Sequence, residues 1–179
     1  MTGKTSVKAT LRGEMRARLG KMSSDLRISE SKSIRDQLIF PPGSQVALFA
    51  GTRTEPQLLD LIVENRQVAW FLPRVTGGST MEFLRVYDLE ILVEGSFGIR
   101  EPSKGEPATD LDIIICPGLA FTSSGHRLGQ GGGYYDRTLS RYPNARRIGA
   151  AFSCQLRESL PIEPHDLAME NIIRPRSGL

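Results

Sequence analysis

Cysteine and histidine, the side chains that most often bind zinc, are scarce in this sequence, which contains two of each. Cys116 and Cys154 lie in separate apolar segments, and neither has His126 or His165 at the spacing of a zinc site. Two isolated cysteines also do not form a disulfide framework. We therefore expect both thiols to be buried in a reducing compartment, and we expect no zinc centre.

Long apolar segments are missing as well. No N-terminal stretch has the apolar region of a secretory signal, and no run approaches the roughly 20 residues that a membrane-spanning helix needs. The hydrophobic fraction of 39% and the charged fraction of 24% are typical of a soluble globular protein. The 179 residues therefore predict a single cytoplasmic domain, residues 1–179, without membrane association.

Several common catalytic and nucleotide-binding motifs are also absent. The sequence has no G-x-S-x-G motif of a nucleophilic serine, and neither cysteine lies in an obvious nucleophile setting. Gly133 is followed by Tyr134 instead of the lysine of a P-loop, and the glycines that begin at Gly129 miss the spacing of a dinucleotide-binding loop. The glycine-rich segment that is present must therefore be interpreted from its own residues.

This segment, Pro117–Leu139, reads PGLAFTSSGHRLGQGGGYYDRTL and joins a predicted buried strand, Leu111–Cys116, to a predicted helix, Tyr134–Tyr142. A run of backbone N–H groups that leads into a helix can bind an anion, and glycine lets a phosphate approach the backbone closely. Arg127 adds a planar partner for phosphate, and Asp136 in the first helical turn could hold Mg²⁺ against the same phosphates. The segment therefore predicts a phosphate site, the alternative being a flexible surface loop.

Strands and helices alternate along the rest of the chain. This order predicts an α/β fold, a single three-layer domain with a mostly parallel central sheet flanked by helices. Ligands of such sheets bind at the carboxyl ends of the strands, where Glu55 follows a predicted strand. Glu55 is expected either to contact a substrate or only to stabilise the start of the next helix. Predicted helices include residues 5–19 and 23–39; predicted strands are 45–50, 68–75, 81–87, 111–116, 146–154 and 171–173, and 92–107 is predicted to be a long ordered loop.

The predicted N-terminal helix carries two stripes of residues spaced four apart. The cationic stripe is either a solvated face or, at Lys8 and Arg12, a pair that reaches the phosphates of a ligand. A basic helix and a net charge of +3 also suit a nucleic-acid-binding module, but only 7% of the residues are aromatic and they are not interleaved with the basic ones. The apolar stripe is Val7, Leu11, Met15 and Leu19, and the cationic stripe is Lys8, Arg12 and Arg16.

Taken together, the motifs resemble those of the 5-formyltetrahydrofolate cyclo-ligase family. The most specific part is PGLAF followed by RLGQGGGYYDR at Arg127–Arg137, and the likeness extends in one order over most of the chain. The other matching positions are Lys8, Arg12, Glu55, FLPRV at 71–75, MEF at 81–83, FGIREP at 97–102 and Asp166.

The resemblance implies a ligase that uses ATP and Mg²⁺ to convert 5-formyltetrahydrofolate into 5,10-methenyltetrahydrofolate, with release of ADP and phosphate. Its implied partners are a reduced folate and ATP, with no nucleic acid and no membrane, and we expect a monomer. It assigns Arg127 and Tyr134 to catalysis and Asp136 and Asp166 to Mg²⁺. The implied ATP-binding residues are Lys8, Arg12, Arg127, Leu128, Gly129, Gln130, Gly131, Gly132, Gly133, Tyr134 and Tyr135. The implied substrate-binding residues are Ala50, Glu55, Phe97, Gln130, Gly131, Gly132, Gly133 and Tyr134.

Two positions differ from the pattern of this family. Thr122 stands where aspartate is common, and Arg174 stands where a small hydroxyl residue is usual. These differences motivate a second hypothesis, in which the chain is a divergent relative that binds ATP but acts on, or only binds, a different small molecule.

Overall fold

A computed structural model describes residues 2–176 of the chain, with side chains from residue 7 onward. The predicted single domain also includes residues 1 and 177–179, which lie outside the described residues, and it stays a prediction. The helices are α1 (Thr2–Gly20), α2 (Ser24–Arg35), α3 (Asp60–Glu64) and α4 (Tyr134–Leu139). The strands are β1 (Gln45–Ala47), β2 (Ala69–Gly77), β3 (Thr80–Val86), β4 (Leu92–Glu94), β5 (Arg100–Pro102), β6 (Ile113–Cys116), β7 (Ala120–Phe121), β8 (Arg127–Leu128), β9 (Arg146–Ala150) and β10 (Asn171–Ile173).

The central sheet has six strands in the order β10, β9, β6, β1, β2, β3. All neighbouring strands run parallel except β2 and β3, which form an antiparallel pair. Val46 of β1, in the middle of the sheet, lies opposite Ile113 on one side and Trp70 on the other. This arrangement confirms the predicted α/β fold with a mostly parallel sheet.

Each face of the sheet carries its own apolar core, because consecutive strand side chains point to opposite faces. Met15 of α1, Ile34 of α2 and Ile62 of α3 pack into the core on one face, and Leu139 of α4 packs into the core on the other. Helices therefore flank the sheet on both sides, in three layers. Within residues 2–176, no helix has both the length and the apolar character to cross a membrane. The cytoplasmic location stays a prediction.

The structure corrects several of the predicted elements. The predicted loop at 92–107 contains an antiparallel hairpin of β4 and β5, in which Leu92 pairs with Pro102. Its turn uses positive φ angles at Phe97 (62°) and Gly98 (69°). Helix α2 ends at Arg35 instead of residue 39, and α4 ends at Leu139 instead of residue 142. Strand β1 ends at Ala47 instead of residue 50, and β9 ends at Ala150 instead of residue 154.

Candidate functional site

A cavity of about 560 Å³ lies beyond the carboxyl ends of β1 and β6, where a ligand site is expected in a parallel sheet. Its volume is in the range of small-molecule sites. The lining comes from α1, the segment after β1, strand β2, the β4–β5 hairpin, the glycine-rich segment and the loop at 163–166. Every residue assigned above to ATP, substrate, Mg²⁺ or catalysis lines this cavity. The structure thus brings the predicted residues together, and their individual roles stay predictions.

In the glycine loop, residues 129–133, arginine side chains donate hydrogen bonds to carbonyl groups, whereas the N–H groups have no acceptor among the described residues. Arg12 Nε donates to the Gly129 carbonyl oxygen at 3.0 Å, and Arg16 Nη2 donates to the Gln130 carbonyl oxygen at 3.0 Å. Arg137 donates to the carbonyl oxygen of Gly132. Over the described residues 2–176, the loop N–H groups donate to no other group. The loop therefore offers donors to an anion in the cavity.

Two glycines of this loop adopt a conformation that other residues rarely take. Gly131 has φ of 106° and Gly133 has φ of 68°, both in the left-handed region. A Cβ atom at residue 131 would also lie 3.3 Å from the guanidinium carbon of Arg12. Glycine therefore keeps the loop closely packed against α1 and lets the chain turn into α4.

Arg127 is a buried and rigidly held cation at the base of the cavity. Its side chain is 5% exposed; Nη2 donates to Asp136 Oδ1 at 2.8 Å and Nη1 donates to the Pro117 carbonyl oxygen at 3.3 Å. Its guanidinium carbon lies 5.4 Å from the centroid of the Tyr135 ring. Its Nε is buried and has no hydrogen-bond partner among the described residues. A fixed guanidinium with an unused donor suits an anionic ligand.

Lys8 connects α1 to the loop at 163–166. Its Nζ donates to Glu163 Oε2 at 2.6 Å and to Asp166 Oδ2 at 2.7 Å. Burial would lower the pKa of Lys8, but the hydrogen bonds to the two carboxylates outweigh burial and raise it. Burial likewise opposes the lowered pKa of Asp166, which the hydrogen bonds from Lys8 and from the Glu163 N–H produce. The Lys8 ammonium and the Asp166 carboxylate are therefore both charged at neutral pH.

The two predicted metal ligands lie in different surroundings of the same cavity. Asp166 belongs to a cluster with Glu163 and His165 in which one ligand atom of each residue lies within 4.8 Å of the others. Asp136, in the first turn of α4, is instead bonded to Arg127. The structure therefore gives the two carboxylates different partners.

Glu55 is a buried carboxylate on the side of the cavity that follows β1. It is 8% exposed, and its Oε2 accepts a hydrogen bond from the Thr52 N–H at 2.9 Å. Burial raises the pKa of Glu55, and the hydrogen bonds from Thr52 act in the opposite direction. Because α3 begins only at Asp60, Glu55 does not lie in a first helical turn, and the helix-stabilising alternative is wrong.

Phe97 forms the rim of the cavity at the tip of the β4–β5 hairpin. It is 77% exposed, and its ring centroid lies 6.1 Å from that of Tyr134 in an edge-on arrangement. Glu101, itself buried, supports the hairpin by accepting hydrogen bonds from the N–H groups of Val75 (3.2 Å) and Ser96 (3.1 Å). The hairpin thus holds an exposed aromatic ring over the cavity.

Tyr135 lines the cavity and carries a second buried donor, its hydroxyl, that has no partner among the described residues. Burial raises the pKa of Tyr135 well above its usual value, so the hydroxyl stays protonated. A buried donor without a partner is costly in a protein, and a bound ligand would satisfy it.

Four titratable lining residues were not assigned to the site from the sequence. No local pattern relates Glu163 and His165 to α1, which lies 155 residues away at the Lys8–Glu163 bond. Arg16 was predicted only as a member of the cationic stripe. Glu101 lies in the FGIREP segment of the resemblance but received no role there, because its burial depends on the hairpin that was not predicted.

The two positions that differ from the family's pattern lie away from the cavity lining. Thr122 is buried in the turn between β7 and β8, where its hydroxyl accepts a hydrogen bond from the His126 N–H at 3.1 Å. Arg174 is exposed after β10, and its carbonyl oxygen accepts a hydrogen bond from Gln37 Nε2 at 2.8 Å. Both residues therefore have structural roles outside the cavity.

Comparisons with known proteins agree over nearly the whole chain. The model of the 5-formyltetrahydrofolate cyclo-ligase family matches residues 4–175. A 5-formyltetrahydrofolate cyclo-ligase of Mycolicibacterium smegmatis is 40% identical over 93 residues, which are 49% of this chain and 48% of that protein, so this match spans about half of each. A probable 5-formyltetrahydrofolate cyclo-ligase of Caenorhabditis elegans is 29% identical over 195 residues, 97% of this chain and 95% of that protein.

A solved structure has the same architecture. The Aquifex aeolicus 5,10-methenyltetrahydrofolate synthetase superimposes with a TM-score of 0.83 and 32% sequence identity. The match covers 97% of this chain and 95% of that one.

Proposed function

This chain belongs to the 5-formyltetrahydrofolate cyclo-ligase family, and on that premise we propose that it converts 5-formyltetrahydrofolate into 5,10-methenyltetrahydrofolate with ATP and Mg²⁺, releasing ADP and phosphate. The observation that carries the proposal is the division of the cavity. The glycine loop offers free N–H groups and lies against Arg12 and Arg127, and the buried Glu55 and the ring of Phe97 line the cavity from other elements.

In the proposed reaction, the formyl oxygen attacks the terminal phosphorus of ATP and the bond to ADP breaks. The formyl carbon then carries phosphate as a leaving group. The N10 lone pair attacks this carbon, phosphate leaves with the former formyl oxygen, and N10 loses its proton. Since the amine attacks in its neutral form, the ring closure needs no dedicated base before the attack.

The glycine loop and its arginines supply the phosphate-binding side. Negative charge on the transferred phosphoryl group is stabilised by fixed donors that need no rearrangement, which is the main task of an enzyme in phosphoryl transfer. The free N–H groups at 129–133 and the unpaired Nε of Arg127 have this character. We assign Arg127 to charge stabilisation and Tyr134 to positioning at the reacting centre.

The carboxylates of the cavity fit a magnesium ion. Mg²⁺ prefers oxygen ligands and usually binds through one or two carboxylates together with substrate phosphates. Asp136 and Asp166 both line the cavity beside the glycine loop, and Glu163 adds a third carboxylate. When bound there, Mg²⁺ would neutralise charge on the ATP phosphates.

The folate side is supported by Glu55, Ala50 and Phe97. A pterin ring offers N–H donors, and Glu55 is a buried acceptor that can bind them. Phe97 is a free aromatic face on the rim, which suits stacking against a flat heterocycle. We therefore propose that Glu55 selects the pterin and Phe97 covers it.

The test is a spectrophotometric assay with purified protein, 5-formyltetrahydrofolate, ATP and Mg²⁺, in which the near-ultraviolet band of the methenyl product is followed. We expect the band to grow only when both ATP and Mg²⁺ are present. Arg141→Ala provides the matched control for Arg127→Ala, because Arg141 is exposed and does not line the cavity. The control should keep the activity of the original protein. Absence of the band with folded protein that binds ATP would refute the proposal.

A further inference from the structure

The loop at 163–166 folds its acidic side chains together on one side of the cavity. The Asp166 N–H donates to the Glu163 carbonyl oxygen at 3.0 Å, and the Glu163 N–H donates to Asp166 Oδ2 at 2.7 Å. This tight turn brings the carboxylates of Glu163 and Asp166 close to each other and to His165 Nε2, which lies 3.7 and 3.9 Å from them. Two carboxylates whose oxygens lie within 4.8 Å of each other repel each other unless a cation lies between them.

That cation is the Lys8 ammonium, which reaches the cluster from α1. The Lys8 side chain is 7% exposed, and its Nζ contacts one oxygen of each carboxylate, at 2.6 and 2.7 Å. The pKa directions agree with a mutual stabilisation, since hydrogen bonding to Lys8 lowers the pKa of Glu163. The ammonium thus compensates one of the two negative charges of the pair.

The same oxygens cannot serve the ammonium and a metal ion at once. Mg²⁺ binds carboxylate oxygens at about 2.0–2.1 Å, so an ion on Glu163 Oε2 and Asp166 Oδ2 would lie within a few ångströms of Nζ. Two positive charges at that separation repel strongly in a partly buried site. The ammonium must therefore move away before an ion can bind these two oxygens.

We propose that Lys8 is the resident cation of the Glu163–Asp166 pair and that a divalent ion binds this pair only in exchange for the Lys8 ammonium. The proposal deepens the proposed function, on which its second half rests: nucleotide phosphates attract the ammonium away and bring the divalent ion to the carboxylates that it leaves. ATP and metal would then bind this protein together, and the metal alone would bind weakly.

The first test measures Mn²⁺ binding to the full chain without nucleotide, by the electron paramagnetic resonance signal of free Mn²⁺. Lys8→Met removes the charge and keeps much of the length of the side chain. We expect it to bind Mn²⁺ on the order of tenfold more tightly than the original protein, because a repulsive charge is gone. Adding Glu163→Gln to Lys8→Met should abolish the gain.

Arg12→Met is the matched control, since it removes one positive charge from the same side of α1, one turn further on. Arg12 donates to the Gly129 carbonyl oxygen, and it pairs with no carboxylate among the residues that the structure describes. It should leave Mn²⁺ affinity nearly unchanged. An equal gain in both variants would overturn the proposal, because the effect would then come from net charge alone, and no gain in Lys8→Met would overturn it as well.

The second test measures the unchanged protein, and a variant is used only to assign one resonance. The ¹³Cε resonance of Lys8, assigned by its loss in Lys8→Arg, should shift when Mg²⁺ and a non-hydrolysable ATP analogue are added together and stay in place with Mg²⁺ alone. A shift with Mg²⁺ alone would overturn the exchange. Failure of the analogue to bind at all would refute the ATP assignment of the proposed function, and the Mn²⁺ result would still decide the role of Lys8.

Discussion

Arg127 and Lys8 are two buried cations that line the same cavity and pair with carboxylates, yet they are held in different ways. Arg127 is fixed by Asp136, by the Pro117 carbonyl oxygen and by the face of the Tyr135 ring. Lys8 is held by its two carboxylates, Glu163 and Asp166. One cation is part of the framework of the fold, and the other lies at the end of a flexible chain.

This difference follows from the chemistry of the two side chains. A guanidinium is planar and offers donors in fixed directions, so several partners can lock it in one place. An ammonium is a compact charge with three rotatable donors on a four-carbon stem, so it can change partners without moving the backbone. The Arg127 and Lys8 side chains are thus about equally buried but differ in how firmly they are held. Variants can test this difference.

Arg127→Ala should have the largest effect, because it removes a framework cation as well as the proposed contact with the ATP phosphates. Breaking a buried ion pair costs about 3–5 kcal/mol of unfolding free energy, and losing one charge-stabilising donor costs about 10²- to 10³-fold in kcat. Urea unfolding and the methenyl assay measure the two losses. Unchanged turnover in a folded variant would contradict the role of Arg127.

Lys8→Met should separate activity from stability. We expect a loss of about 10- to 100-fold in kcat/KM, typical of one charged hydrogen bond. The melting temperature should fall less than in Arg127→Ala, because water can solvate the partly exposed Glu163 and Asp166. Thermal unfolding followed by circular dichroism tests this; equal falls in melting temperature would show that both cations belong to the framework.

Glu55→Gln extends the comparison to a carboxylate that forms no ion pair with any described residue. Burial raises the pKa of Glu55, so its contribution to stability is greatest below the unfolded pKa and declines as the pH rises through the folded pKa. The amide does not ionise. The variant should therefore be at least as stable as the original at neutral pH, and its advantage should shrink in acid.

The same variant should weaken folate binding by about tenfold, because a neutral amide replaces the buried acceptor. Unfolding free energies at several pH values and the KM for 5-formyltetrahydrofolate provide the measurements. A variant that is clearly less stable at neutral pH would show that the main role of the Glu55 carboxylate is to stabilise the fold and not to bind folate.

Arg174→Thr should have the smallest effect, since it restores a small hydroxyl residue at an exposed position outside the cavity. We expect a change in stability within about 0.5 kcal/mol and an unchanged kcat/KM. A clear gain in activity would instead support the divergent-relative hypothesis. In that case the charge of Arg174 would affect the site in addition to those of Arg127 and Lys8.

The sequence predicted the parts of the site that depend on neighbouring residues. The glycine run, Arg127 and Asp136 lie close together in the chain, so their pattern indicated a phosphate site. The family resemblance added Lys8 and Asp166 as separate roles. It did not predict that these two bind each other, because a contact across 158 residues leaves no local pattern.

The fold was predictable for a similar reason. Strands such as β6 and β10 stand out by their β-branched residues, and the alternation of elements indicated a parallel sheet. The β4–β5 hairpin was missed because its strands are only three residues long and contain proline and charged residues, with glycines in the turn between them, and because tertiary packing stabilises it. Glu101 illustrates this, since it becomes buried only when the hairpin docks on β2. There its carboxylate accepts a hydrogen bond from the Val75 N–H.

The separation of 158 residues between Lys8 and Asp166 also has a consequence for folding during synthesis on the ribosome. The ribosome releases α1 long before the loop that it will bind, so a nascent chain carries the cationic helix without its carboxylates. Closing so long a loop costs conformational entropy, although the cost grows only slowly with length. A nucleotide that contacts both α1 and the loop at 163–166 would act as a reversible cross-link between them. It would stabilise folded chains that contain both elements, but not nascent chains that still lack the loop.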